Sequence, residues 1–318
     1  MSTAHLGIIW NPAKTERSVL EAALDQACAE SAEDPRVSWY ETRENEPGGG
    51  AVRQAREGGA DVVCVAGGDG TVRAVAEALA ETGGADLVIL PLGTGNLLAR
   101  NLGVPLGDPA AAFRQVFAGS VQPIDIGWAE VTTAGGVERH AFAVMAGFGI
   151  DANMITETDD GLKDRAGWLA YVESLGRALS ASEMIDLELA FDGGAPVREA
   201  AHTLIVGNCG AVQAGLMLLP DADPADGELD ALVLSAEGIS GWVDTFRNLA
   251  WENGLKRLLT RGDSAASSES TGHHRFTSLT VALEQPRVFE VDGDELGEVT
   301  RVEVSIQSAA LRVRVLPS

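Results

Sequence analysis

The sequence predicts an α/β protein: a parallel sheet covered by helices in its first third, then an antiparallel β-sandwich. Two observations carry this. Up to about residue 123, short Val- and Ile-rich runs alternate with Ala-rich stretches of helical spacing. Beyond it, many short strand-like runs follow one another with turn residues between them.

Taken in order, "LGIIW" (6–10), "RVSWY" (36–40), "DVVCVAG" (61–67) and "ADLVILPLG" (85–93) read as buried strands. Val19, Leu20, Ala23, Leu24 and Ala27 recur at helical spacing, as do Val72, Val75, Ala76 and Leu79. Strand–helix alternation of this kind gives a doubly covered parallel sheet, whose ligands bind at the carboxyl ends of the strands. Asn11, the turn 67–71 and the turn 93–96 all fall there. In the second part, "PIDIGWAEV", "ERHAFAVMAG", "IDLELAF", "AHTLIVGN", "LDALVLS", "SLTVALE", "RVFEVDGD", "RVEVSIQ" and "LRVRVLP" read as strands of the sandwich. Helical stretches interrupt at 163–179 and 241–259, and the small-residue run at 261–274 reads as a loop. The expected domains are 1–123 and 124–307, with 308–318 returning to the first.

Bulk composition narrows the function classes. The 318 residues suffice for two domains and a substantial core. Forty-seven acids against 23 Lys plus Arg give a net charge of −24, which argues against nucleic acid as a partner. Cys28, Cys64 and Cys209 lie far apart and without metal spacing, as expected of reduced thiols in a cytoplasmic protein. The N-terminus shows no signal-peptide pattern, and the apolar run at 141–150 is too short to span a bilayer. His5, His140, His202, His273 and His274 have no metal spacing and no Ser or Cys partner, and read as non-catalytic surface or loop residues.

The stretch "VAGGDGTVRAVAEAL" (65–79) carries the first chemical signal. Gly67, Gly68 and Gly70 allow a ligand close to the backbone, and successive amides at a helix start make an anion cradle. Asp69 is then out of place beside phosphate unless a cation sits between them, for which Mg²⁺ is the usual choice. Thr71 could cap the helix or bond a phosphate, and the alternative for the whole motif is a tight strand-to-helix turn with Asp69 as a plain N-cap. The motif is neither a P-loop nor the dinucleotide fingerprint. A second turn, "PLGTGNLLARNLG" (91–103), follows the next strand and also opens a helix. Two phosphate-type turns on neighbouring strands are far more specific than one.

At these residues the chain resembles the diacylglycerol kinase catalytic family of bacterial lipid kinases. Sphingosine and ceramide kinases are related to it, NAD kinases more distantly. "GGDGT" at 67–71 and "PLGTGN…LARNLG" at 91–103 are joined by "NPA" at 11–13, Thr42, "DIG" at 125–127, "MAGFGIDANMI" at 145–155, "LKDRAGWLAYV" at 162–172, the block at 206–230 and "VDGD" at 291–294. The resemblance implies the NAD kinase and diacylglycerol kinase type of nucleotide domain. It implies ATP and Mg²⁺ as cofactors and transfer of a phosphoryl group to a lipid hydroxyl, diacylglycerol first. Asn11, Thr42, Gly67, Gly68, Gly70, Thr71, Gly93, Thr94, Gly95 and Asn96 would line the nucleotide. Asp69 would hold the metal.

The family reads Asp-Gly-Glu at the late motif, with the glutamate as base. Here Asp294 stands in its place, with Glu295 as runner-up and a plain Asp-Gly hairpin turn as the alternative. The second turn carries Leu97 where the family often has Asp. Asp125 maps to a residue near the acceptor or metal. In "DADPADGELD" (221–230) the resemblance implies a structural Mg²⁺ held by Asp223 and the Glu228 carbonyl, with Asp226 reaching toward the crevice; a solvated acidic loop is the alternative.

A bilayer-dwelling acceptor requires peripheral membrane contact. The basic–apolar segment at 242–261 would supply it, or would pack on the second domain. A homodimer is compatible with the sequence. NAD kinase is disfavoured, because the only Asn-Glu dipeptide, Asn45-Glu46, precedes the glycine-rich motif. A kinase for a sphingoid base, ceramide or glycolipid, and a non-catalytic nucleotide- or lipid-binding regulator, remain as alternatives.

Overall fold

The computed structural model describes residues 4–148, 184–211, 218–234 and 272–317. The expected helices at 163–179 and 241–259, the motif at 162–172 and the membrane-facing segment at 242–261 lie outside them.

Four strands, β1 (His5–Trp10), β2 (Arg36–Glu41), β3 (Val62–Gly67) and β4 (Asp86–Pro91), pair in parallel in the order β4-β3-β1-β2. The helices between them are α1 (Arg17–Ser31), α2 (Gly49–Glu57) and α3 (Asp69–Thr82), followed by α4 (Leu97–Asn101) and α5 (Pro109–Ala118). Alternation along the strands sends successive side chains to opposite faces. Val63, Val65, Leu87 and Ile89 pack with Val52, Val75 and Leu79 of α2 and α3. Val62, Cys64, Val88 and Leu90 pack with Leu20, Leu24, Phe113 and Val116 of α1 and α5. Both faces are therefore buried, which is why these strands read as continuous apolar runs. Burial pushes the Cys64 thiol up to about 12 and raises that of Cys209, so both stay protonated.

The second half is antiparallel: β5 (Ser120–Thr133), β6 (Gly136–Phe142), β7 (Met145–Phe148), β8 (Ile185–Phe191), β9 (Val197–Ala201), β10 (Thr203–Gly207), β11 (Leu229–Leu234), β12 (Gly272–Phe276), β13 (Ser278–Val291) and β14 (Asp294–Val315). Its core holds Phe142, Phe148, Phe276 and Phe289. The halves share one sheet, because β14 is long enough to serve both. It pairs antiparallel with β13 and β5, bulges between Gln307 and Leu311, and ends parallel to β4 with Val313 beside Leu87. Asp86 anchors that end: its two oxygens take the Nε groups of Arg312 and Arg314 at 2.7 and 2.8 Å.

Three local expectations change. "SLTVALE" and "RVFEV" form one strand, β13, and "RVEVSIQ" and "LRVRV" another, β14. Residues 272–274, expected in a loop, belong to β12, which pairs antiparallel with β11. His5 and His202 are buried rather than at the surface. His273 Nε2 lies 2.8 Å from Asp230 Oδ1 at an angle unfavourable to a hydrogen bond, and the buried Asp230 carboxylate raises the His273 pKa.

Candidate active site

The carboxyl ends of β1, β3 and β4 are knitted edge to edge. Asn11 N–H donates to the Ala66 carbonyl and Leu92 N–H to the Gly67 carbonyl, both at 2.9 Å. Asn11 Nδ2 reaches Thr71 Oγ1 at 3.3 Å, tying the first strand end to the glycine-rich turn. Thr42 is buried just beyond β2, its N–H on the Trp10 carbonyl. The two glycine-rich turns touch. A Cβ on Gly93 would lie 2.8 Å from Gly68 Cα, so only glycine permits this approach.

The second turn closes on itself through Asn96. Its backbone is left-handed at φ 49°, its Oδ1 accepts from Gly93 N–H at 2.9 Å, and its Nδ2 donates to the Gly93 carbonyl at 2.7 Å. Gly95 accepts Arg100 Nε at 2.6 Å, and Thr94 is exposed at the tip.

Asp69 does not cap its own helix; Gly68 occupies that position. The Asp69 carboxylate turns to the second loop and accepts Asn96 N–H at 2.8 Å and Leu97 N–H at 2.6 Å. It thus welds one phosphate-type turn to the other, which no spacing in the sequence shows. Two of the roughly four lone-pair sites of a carboxylate remain open. Lys14, another residue missed in the sequence, extends over the turn: its Cε would be 3.7 Å from a Cβ on Gly68.

The late acidic motif arrives at the same place. Asp292 and Gly293 form the two-residue hairpin between β13 and β14, with φ of 48° and 87°. This is the turn for which Asp-Gly is favoured. Only half of it lies at the surface: Gly293 is exposed and Asp292 is not. Asp292 is buried, and its carboxylate accepts the N–H groups of Ala143, Val144 and Met145 at 2.7, 2.9 and 2.9 Å. Desolvation outweighs these bonds and raises its pKa to about 6. The hairpin directs Asp294 to Gly70, where a Cβ would sit 3.4 Å from Asp294 Oδ2. Arg73 of α3 holds that same oxygen through Nη2 at 2.8 Å and Nε at 3.2 Å.

Asp125 has a different setting from the one expected. It is buried, its Oδ2 accepts Gly227 N–H at 2.7 Å and its Oδ1 accepts Ala309 N–H at 2.6 Å. Its carboxylate ties the acidic loop to the β14 bulge, and among the described residues no hydrogen bond or ion pair joins it to Asp69 or Asp294. Asn208 links the two regions instead, donating to the carbonyls of Asp125 and Ala143.

Two carboxylates of the acidic loop share one protein cation. Asp226, expected to reach toward the crevice, pairs with Arg275, and Glu228 joins the same guanidinium at 2.7 Å. Asp223 Oδ1 accepts Ala225 N–H at 3.0 Å. Among the described residues no three His, Cys, Asp or Glu side chains converge on a metal position. Asp69, with two lone-pair sites open beside the glycine-rich turns, could hold Mg²⁺ together with phosphate oxygens, the mode in which that ion is ordinarily bound.

The site can seat an anion on the two joined turns and present one carboxylate, Asp294, from the opposite side. Comparison with known proteins gives this arrangement a family. Residues 5–129 match the diacylglycerol kinase catalytic domain, and residues 143–315 match the YegS C-terminal NAD kinase beta sandwich-like domain. A Stenotrophomonas maltophilia protein named "Probable lipid kinase YegS-like" is 33% identical over 248 residues, 76% of this chain and 75% of its own. A Mycobacterium tuberculosis protein named "Diacylglycerol kinase" is 31% identical over 179 residues, 56% of each chain. The crystal structure of a Bacillus anthracis diacylglycerol kinase shares the fold, with a TM-score of 0.67 at 22% identity over 99% of this chain and 97% of that one. With both halves matched in order along the chain, the protein belongs to the diacylglycerol kinase catalytic family, among its YegS-like members, and is a lipid kinase.

Proposed function

We propose that the protein transfers the γ-phosphate of ATP to the hydroxyl of diacylglycerol, giving phosphatidic acid. One observation carries the reading: the Asp294 carboxylate stands against Gly70 of the glycine-rich turn, so an acid from the β-rich half meets the anion cradle of the nucleotide half.

Phosphoryl transfer needs positioning, charge neutralisation and a base for the attacking hydroxyl. Asn11, Thr42, Gly67, Gly68, Gly70 and Thr71 form one wall of the nucleotide seat, and Gly93 to Asn96 form the other. Backbone amides of the two turns orient the phosphates, with Lys14 supplying a nearby positive charge. Asp69 keeps the walls in register and faces the phosphates with its open lone pairs. Mg²⁺ held there would offset the charge that builds on the phosphate oxygens. Asp294 takes the proton of the acceptor hydroxyl as its oxygen bonds to phosphorus. The bond from phosphorus to the bridging oxygen breaks, and ADP leaves with that electron pair. Asp125 supports the site indirectly by fixing the loop that follows Asp223.

The acceptor is a bilayer lipid, so the protein would work at a membrane surface. Among the described residues no helix is long and apolar enough to cross one. Peripheral contact therefore suits the reading.

The test is transfer from γ-labelled ATP to diacylglycerol, ceramide, a sphingoid base and a glycolipid in mixed micelles. Wild type, Asp69→Ala and Asp294→Ala are compared. Labelled phosphatidic acid that disappears in both variants is expected. Label on another lipid reassigns the acceptor, and full activity in Asp294→Ala removes that residue as the base.

A further inference from the structure

Along α3, Asp69, Arg73 and Glu77 recur at four-residue intervals and so share one face of the helix. Asp69 belongs to the phosphate turn. One turn on, Arg73 is largely buried, with 16% of its side chain exposed, and points across the crevice. Its Nε and Nη2 converge on a single oxygen of Asp294. The other end of its fork lies 3.6 Å from Glu77 Oε2, and that oxygen accepts the N–H of Ala141 in β6 at 3.0 Å. The guanidinium is thus pinned from behind and presents two donors forward. Asp294 Oδ1 has no protein partner among the described residues, and 47% of the Asp294 side chain is exposed.

We propose that Arg73 is a positioning residue of the phosphoryl-transfer site, holding Asp294 by one oxygen so that the other faces the acceptor, and cancelling its charge against the nucleotide phosphates. The inference rests on the turn at 67–71 being the nucleotide seat. The physical need is plain. A carboxylate against Gly70 stands beside a polyphosphate, and two anions at that range repel unless a cation lies between or behind them. Arginine suits the task better than lysine, since its planar fork can engage Glu77 and Asp294 at once in fixed geometry. A merely structural ion pair would stabilise the fold and leave nucleotide affinity alone.

A double-mutant cycle on the full chain separates the two. Affinity for ATP with Mg²⁺ is measured by calorimetry for wild type, Arg73→Ala, Asp294→Asn and the double variant, and kcat is measured with diacylglycerol in micelles. Removing Arg73 alone should weaken ATP binding by about five- to tenfold, the scale of one partly exposed charge pair. Removing the Asp294 charge as well should restore it to near the wild-type value. Arg73→Lys should retain ATP affinity but lose kcat, because charge survives and geometry does not. Wild-type ATP affinity in Arg73→Ala, or a loss that Asp294→Asn does not reverse, overturns the proposal. Should Arg73→Ala fail to fold, Arg73→Gln replaces it in the same cycle. Full turnover in Asp294→Asn would instead remove the base assignment, while restored ATP affinity in the double variant would still support the charge role of Arg73.

Discussion

Asp69 and Leu97 are joined directly: the carboxylate Oδ1 of the first glycine-rich turn accepts the backbone N–H that opens α4, at 2.6 Å. With the bond from Asn96 N–H to Oδ2, the acid spans the gap between the two walls of the nucleotide seat. Removing it should therefore damage both shape and chemistry. Asp69→Ala leaves two partly buried N–H groups without acceptors, at about 1–3 kcal/mol of stability. Asp69→Asn offers one oxygen and one clashing NH₂, so it should recover only part of that. Both should lower kcat by about 100-fold or more, the scale of losing a preorganised electrostatic group. Thermal melts together with steady-state kinetics check this; an Asp69→Asn variant with wild-type turnover would leave the residue a scaffold only.

Gly93 tests the contact between the turns without touching charge. A methyl at Gly93 would meet Gly68 Cα at 2.8 Å and Asn96 Oδ1 at 3.0 Å. The first of these is backbone and cannot step aside cheaply. Gly93→Ala should push the walls apart, cost about 1–3 kcal/mol as overpacking does, and weaken ATP binding more than it weakens lipid KM. Calorimetric titration with ATP and a lipid KM measurement on the same preparation show the split.

Asp125 shows where legibility in the sequence ended. The nucleotide half was readable because strand, glycine turn and helix each leave a side-chain signature, and because strands buried on both faces are continuously apolar. The partners of Asp125 and Asp69 are backbone N–H groups at Gly227, Ala309, Asn96 and Leu97, which any residue carries, so a carboxylate tying loops looks like one poised for chemistry. The same holds for strand limits. "SAA" at 308–310 reads as a break between two strands, yet it is a bulge in β14, with Ala309 at φ 50° and its N–H on Asp125. "GHHRF" and "VREAA" lack the period-two alternation of a half-buried strand and pass unnoticed as β12 and β9. Arg73 carried no motif signal; only the return of β14 places Asp294 beside it.

The structural reading of Asp125 is itself testable. Asp125→Ala should leave two part-buried N–H groups, at Gly227 and Ala309, without their acceptor and destabilise the fold by about 1–3 kcal/mol. ATP affinity should change by less than about threefold, since no hydrogen bond or ion pair of its carboxylate leads to the nucleotide seat. Urea unfolding and ATP titration of the same variant decide it. A stable variant that has lost ATP binding would return Asp125 to the catalytic machinery.

Asp292 gives the protein a pH dependence of definite sign. In the unfolded chain its carboxyl has the ordinary value of 3.8, and in the fold burial raises it to about 6. Between these two values the folded protein holds a proton that the unfolded chain has released. The contribution of this group to stability is thus fully present below pH 3.8 and is withdrawn as pH rises through about 6. A shift of this size corresponds to about 3 kcal/mol across that window. Asp292→Asn keeps the hairpin but cannot titrate, and its amide sets an NH₂ against one of the three N–H groups at 143–145. It should be less stable than wild type throughout. The gap between the two should narrow as pH rises from 4 to 6, because only wild type loses the proton-linked part. Melting temperatures of both proteins across pH 4–8, with a carbon-detected carboxyl titration of wild type, measure the two quantities independently. A constant gap, or a midpoint near 3.8, would mean that water reaches the hairpin and that Asp292 is solvated.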